Sequence, residues 1–161
     1  MRCAIVQVET CDEYAPDALA SALDRALGPW RDWLRQRVAG RTVLLKPNLL
    51  SPREPSDAVT THPEVVRAVA TRILSWEPAR VWLGDSCAGD HCDEQLWTRT
   101  GMREVAADTG IVLKSFRNCR AVPRRVAEHQ VPVPAWLEEV DVVISLPKLK
   151  THALTGMTCA V

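Results

Sequence analysis

Val142-Val143-Ile144-Ser145-Leu146-Pro147-Lys148-Leu149-Lys150-Thr151-His152 is the stretch that decides the fold. Its first five residues carry no charge, are rich in β-branched side chains and are too few for a helix, which is the pattern of a buried strand. Pro147 stops the run, and two lysines and a histidine follow at once. A solvated charge run is not expected directly after a buried strand, whereas reactive side chains at a strand's carboxyl end are where open α/β sheets bind ligands. The same grammar appears upstream. Thr42-Val43-Leu44-Leu45 leads into Lys46-Pro47-Asn48, and Ala79-Arg80-Val81-Trp82-Leu83 leads into Gly84-Asp85-Ser86.

Helical patterns lie between these strands. Pro16 opens a helix with Leu19, Leu23, Ala26 and Leu27 on one face, and Trp30 to Val38 forms a second helical piece ending at Gly40. A further helix starts at Pro63 with Thr61 or His62 as its cap, carries Val65, Val66, Val69, Ile73 and Leu74 as its apolar stripe, and stops before Pro78. Asp93 to Thr100 and Met102 to Asp108 read as helices joined at Gly101. Additional strands are expected at residues 3–8 and 111–113. Residues 114–133 read as irregular excursions or a hairpin, 135–140 as a short helix, and 156–161 as an interrupted strand or helix. Strands alternating with helices give an α/β fold, a mainly parallel sheet flanked by helices. The 161 residues form one domain, or the amino-terminal part of a larger one.

Twenty basic and twenty acidic residues cancel. Such a balance gives no long-range field to draw the molecule to nucleic acid or anionic lipid. No stretch is long and apolar enough for a membrane span, and the amino terminus has none of the regions of a signal peptide, so a cytoplasmic address is expected. Of the twenty Lys and Arg residues only Lys46, Lys114, Lys148 and Lys150 are lysines. In a chain that uses arginine so heavily, a retained lysine points to a place that wants a compact, mobile ammonium.

The strand ends assemble a candidate site. Lys46 and Asn48 follow one strand, Asp85 and Ser86 another, and Lys148, Lys150, Thr151 and His152 the last, while Thr60, Thr61 and His62 precede a helix start. Ammonium groups, hydroxyls and a helix amino terminus suit a phosphate or carboxylate. Lys46, Asn48, Thr60, Thr61, His62, Ser86, Lys150 and Thr151 are the candidate ligand-binding residues. Asp85, Lys148 and His152 are the candidate catalytic ones. Asp85 would hold a lysine in place, take a divalent cation as cofactor, or act as a base. The reaction itself is not legible.

Several of these segments, Val43-Leu44-Leu45-Lys46-Pro47-Asn48-Leu49, Thr60-Thr61-His62-Pro63-Glu64-Val65-Val66, Gly84-Asp85-Ser86, Thr100-Gly101-Met102 and the run from Val142 to His152, resemble the family named domain of unknown function 362. The resemblance implies a longer domain of which this chain is the amino-terminal half. It implies no agreed activity. Many members carry ferredoxin-like cysteine clusters, which leaves open an iron–sulfur-associated accessory module as an alternative to a metabolite-binding enzyme, with a truncated copy needing a partner as a third reading.

The cysteines at 3, 11, 87, 92, 119 and 159 contain no C-x-x-C pair, so neither an iron–sulfur cluster nor a disulfide scaffold is expected within this chain. Cys87, His91 and Cys92 match no zinc spacing, and no metal ligand is assigned. The basic segment from Lys114 to Arg125 offers only Phe116 for stacking, so nucleic acid is not an expected partner. The expected partners are a small anionic ligand and either a second copy of the chain or a downstream segment completing the fold.

Overall fold

Thr42–Pro47 (β1) is central because it is apolar on both sides, and it accepts parallel neighbours on both edges. In the computed structural model, which describes residues 6–89, 93–152 and 156–158, β1 lies between Arg80–Leu83 (β2) and Val142–Leu146 (β6). Val112–Leu113 (β3) flanks β2, so the order among the described residues is β3-β2-β1-β6, all parallel. The expected α/β class with a mainly parallel sheet is the observed one.

Side chains alternate across the sheet. Val43, Leu45, Val81 and Leu83 face the helices Pro16–Leu27 (α1), Pro63–Leu74 (α3), Asp93–Arg99 (α4) and Met102–Thr109 (α5). They pack with Val66, Val69, Ile73, Leu96, Met102 and Val105 in one core. Each such side chain contributes about 1.5–3 kcal/mol by leaving water. Arg31–Val38 (α2) anchors this layer through Val38, which is fully buried.

The opposite face is covered differently. Leu44 and Trp82 are buried there, and Trp136 meets Trp82 edge-on with ring centroids 5.7 Å apart. Phe116 in turn abuts Trp136 at 5.1 Å, and the Lys114 ammonium lies 3.9 Å from the Trp82 ring centre. These side chains belong to the segment between β3 and β6. It contains an antiparallel hairpin, Ala121–Val126 (β4) with His129–Pro134 (β5), and a 3-10 turn at Ala135–Glu139. Val112 and Val143, paired in register with Trp82 and Leu44, are more than half exposed on the same face.

Of the two readings of residues 114–133, irregular excursions or a hairpin, the β4–β5 pairing is the hairpin. The expected strand at 3–8 is not formed where it can be described: residues 6–8 carry no regular structure and residues 1–5 lie outside the described residues. β6 also differs from the expected fully buried strand. It is a sheet edge with alternating exposure, since nothing among the described residues pairs with its outer side. Past it, Lys150–His152 (β7) and Gly156–Thr158 (β8) form a second antiparallel hairpin, so that of the strand or helix expected at 156–161 residues 156–158 form a strand, while 159–161 lie outside the described residues.

Candidate functional site

The carboxyl ends of β1, β2 and β6 are tied to one another by side chains from the predicted motifs. Asp85 is buried at the exit of β2. Its Oδ1 lies 2.7 Å from the Lys46 ammonium, and its Oδ2 accepts the Leu49 backbone N–H at 2.8 Å. Both carboxylate oxygens therefore have donors. Of the three roles open to Asp85, the geometry is that of a positioning residue holding Lys46 and the β1 exit loop.

Thr61 makes the second tie. Its hydroxyl accepts the Asn48 backbone N–H at 2.9 Å and donates to the Leu146 carbonyl at 2.6 Å, joining the exits of β1 and β6 to the start of α3. The hydroxyl is thus committed to the scaffold. Thr60, beside it, is 1% exposed, and its Oγ1 has no hydrogen-bond partner among the described residues.

The start of α3 follows from its sequence. Pro63 occupies the first turn, where a missing N–H costs nothing, and Glu64 sits at the positive end. His62 is the cap: its Nδ1 accepts the Glu64 N–H at 3.2 Å, while Val65 and Val66 donate to the His62 carbonyl. The amides at this helix end are consequently satisfied within the protein. An anion at this rim must be met by side chains, not by the free helix amides that the sequence pattern invites.

Burial lowers the basicity of His62, Glu64 opposes this, and the positive charge of Lys148 adds to the lowering. Lys148 therefore stands within electrostatic reach of the α3 start. Tyr14, the only tyrosine, lies flat on the His62 ring with centroids 3.6 Å apart and planes 6° from parallel. Sequence reasoning did not single out Tyr14. Its position just before the α1 start was the available signal, because α1 packs on α3 and carries the preceding residues to the α3 start.

The other candidates are placed less closely. Lys150 is half-buried in the β7–β8 hairpin opposite Thr158, whereas Ser86, Thr151 and His152 are exposed. Among the described residues no hydrogen bond or ion pair joins Ser86, Lys150 or Thr151 to the Lys46–Asp85 pair. Lys148 and Lys150 have no acidic partner there either.

Two further motifs prove to be scaffold. A Cβ on Gly84 would stand 2.5 Å from the Lys114 carbonyl oxygen, so only glycine lets the β2 exit pass that strand end. Gly101 has φ +74°, and a Cβ there would lie 3.1 Å from the Pro63 ring, so the Thr100-Gly101-Met102 turn packs against the first residue of α3. A crease of about 290 Å³ between α1 and α3 is lined by none of the strand-end residues, though Glu64 at the α3 start borders it. Its arginines are already paired, Arg67 with Glu64 and Asp108 and Arg72 with Asp24.

Among the described residues no three His, Cys, Asp or Glu side chains form a group able to hold a metal ion. Cys11, Cys87 and Cys119 are free thiols, while Asp90, His91 and Cys92 lie outside the described residues. Arg124 is paired with Glu138, and Arg117 donates to the Cys87 carbonyl, so part of the basic segment is engaged internally. No helix among the described residues is long and apolar enough to cross a membrane.

The chain belongs to the family described as domain of unknown function DUF362, which matches residues 43–161. It is also 34% identical over 148 residues to a thylakoid-associated protein of Synechocystis sp. (strain ATCC 27184 / PCC 6803 / Kazusa), a match covering 92% of this chain and 46% of that protein. The chain thus spans about half the length of that curated relative. No solved structure matches it.

Proposed function

We propose, from this family membership and the geometry of the strand ends, that the rim formed by the exits of β1 and β6 and the start of α3 binds a small anion bearing a phosphate or carboxylate group. The observation that carries this is Lys148, an ammonium without an acidic partner among the described residues, whose charge reaches the His62 cap. Lys150 on the following hairpin adds a second cation without an acidic partner among the described residues. Two charge-assisted hydrogen bonds from mobile ammonium groups suit an oxyanion of variable shape. Lys46 contributes through its exposed part, with Asp85 fixing its position.

Where the bound anion reacts, Lys148 at the β6 exit and His152 from the following hairpin are the candidate groups to move a proton. A divalent cation fits the Asp85 carboxylate poorly, because both oxygens already have donors. The proposal includes a cytoplasmic address, supported by free thiols and by the absence of a membrane-length helix among the described residues. The relative's printed name places that protein at a thylakoid.

Thermal unfolding with added phosphate, sulfate or a dicarboxylate tests the binding reading. A ligand bound only by the folded state raises the Tm by mass action. The rise should vanish in Lys148→Ala combined with Lys150→Ala; an undiminished rise in that variant excludes these lysines.

A further inference from the structure

His62 has one polar atom left over. A backbone N–H can only donate, so the Glu64 amide obliges Nδ1 to accept with its lone pair, and the neutral ring then carries its proton on Nε2. Among the described residues nothing accepts from Nε2. The ring cannot turn freely to find a partner, since the Glu64 bond holds one edge and Tyr14 lies flat on one face. A half-buried imidazole is therefore held with one N–H that has no partner among the described residues. This is an arrangement for offering a hydrogen bond, not for exchanging a proton.

We propose that His62 is a binding residue of the anion rim that works as a neutral imidazole, donating Nε2–H to one oxygen of a phosphate or carboxylate whose charge is met by Lys148. The inference rests on the anion-site reading and deepens it by naming the donor and its protonation state. Among the described residues, the charges of Glu64 on its own helix and Lys148 from the β6 exit act on the ring, and Tyr14 from the segment before α1 stacks on it. Lys148 and burial disfavour an imidazolium, and protonating Nδ1 would break the cap. Glu64 alone favours one. A neutral donor is also less costly to cover with ligand than a second cation, because an uncharged ring loses less hydration. The Thr60 hydroxyl, buried two residues away and without a partner, is a further donor on the same short segment.

The test uses the whole chain labelled with nitrogen-15 in histidine, with inorganic phosphate and succinate as probes. Long-range nitrogen–proton correlation spectra should show His62 as the Nε2–H tautomer at neutral pH, both free and with probe, and its Nε2 resonance should move along the same saturation curve as the Tm. His62→Asn keeps an oxygen able to cap α3 but is too short to deliver the distal N–H. It should weaken phosphate binding about tenfold, the loss expected for one hydrogen bond to a charged acceptor, while retaining the Tm of the ligand-free protein. An imidazolium or Nδ1–H ring, an Nε2 resonance that ignores a probe which does bind, or unchanged phosphate affinity in His62→Asn each overturns the inference and leaves the anion site standing. Failure of both probes to bind overturns the anion site and this inference with it. Should His62→Asn not fold, the spectra of the unmodified chain decide the matter alone.

Discussion

Lys46 Nζ and Asp85 Oδ1 lie 2.7 Å apart, an ion pair that links the exits of two adjacent parallel strands and leaves the carboxylate buried while the lysine keeps part of its surface in water. Register explains the meeting. Leu45 pairs with Leu83, which brings Lys46, still paired with Ser145 of β6, alongside Asp85 two residues past the end of β2, and the second carboxylate oxygen accepts the Leu49 N–H.

Truncating one partner should therefore cost more than truncating both. Lys46→Met leaves the buried Asp85 with a single donor and should lower stability by about 1–3 kcal/mol, the penalty for an unsatisfied buried polar group. Lys46→Met with Asp85→Asn should recover part of that loss. Urea unfolding of the two single variants and the double variant measures the coupling; strictly additive losses would show that the pair contributes nothing.

Gly84→Ala should destabilise the protein by about 1–3 kcal/mol, as overpacking does when the obstacle cannot move aside. The obstacle is the Lys114 carbonyl, whose own N–H is bonded to Leu83 at 2.8 Å and so fixes that segment. Chemical denaturation would show it. An alanine variant as stable as the parent would mean that the β3 exit yields freely.

His62 should make stability depend on pH in a definite direction. Its basicity is lower in the folded chain than the ordinary value of 6.5, so the folded state binds fewer protons. Stability from this residue is then fully present above about pH 6.5. It declines as pH falls through the lowered folded value, where protonation breaks the Glu64 cap. Denaturant unfolding from pH 8 to 5 should show a smaller decline in His62→Asn than in the parent. His62→Ala should lose about 1 kcal/mol at pH 8 from the missing cap; equal slopes in parent and His62→Asn would remove His62 as the source.

The edge of β6, which no described residue pairs with, should bring two copies of the chain together. Val142–Leu146 contains neither a charge nor a proline, the devices that normally blunt a sheet edge, and Val143 is 55% exposed beside it. The balanced charge of the chain supplies no net repulsion between copies. Light scattering should rise above the monomer value with concentration, and Val143→Lys should return it. A chain that stays monomeric at all concentrations defeats this prediction.

The sequence by itself determined the class of fold and most of its elements, because those are written in local patterns. Uncharged runs such as Thr42 to Leu45 cannot be left in water, and Pro63-Glu64 starts a helix wherever the chain goes. It also marked the strand ends as chemically loaded, through lysines retained at 46, 148 and 150. The hairpin at β4–β5 was half hidden because Pro123 and Pro132, which face each other across it, obscure the strand alternation. The tertiary structure alone decided which loaded ends adjoin. It placed β1 between β2 and β6, and so gave Asp85 to Lys46, committed the Thr61 hydroxyl to Asn48 and Leu146, and brought Tyr14 onto His62. Local periodicity sets which face of an element is apolar, whereas the partner of each strand end follows from how the whole set of apolar faces packs, and no local pattern carries that information.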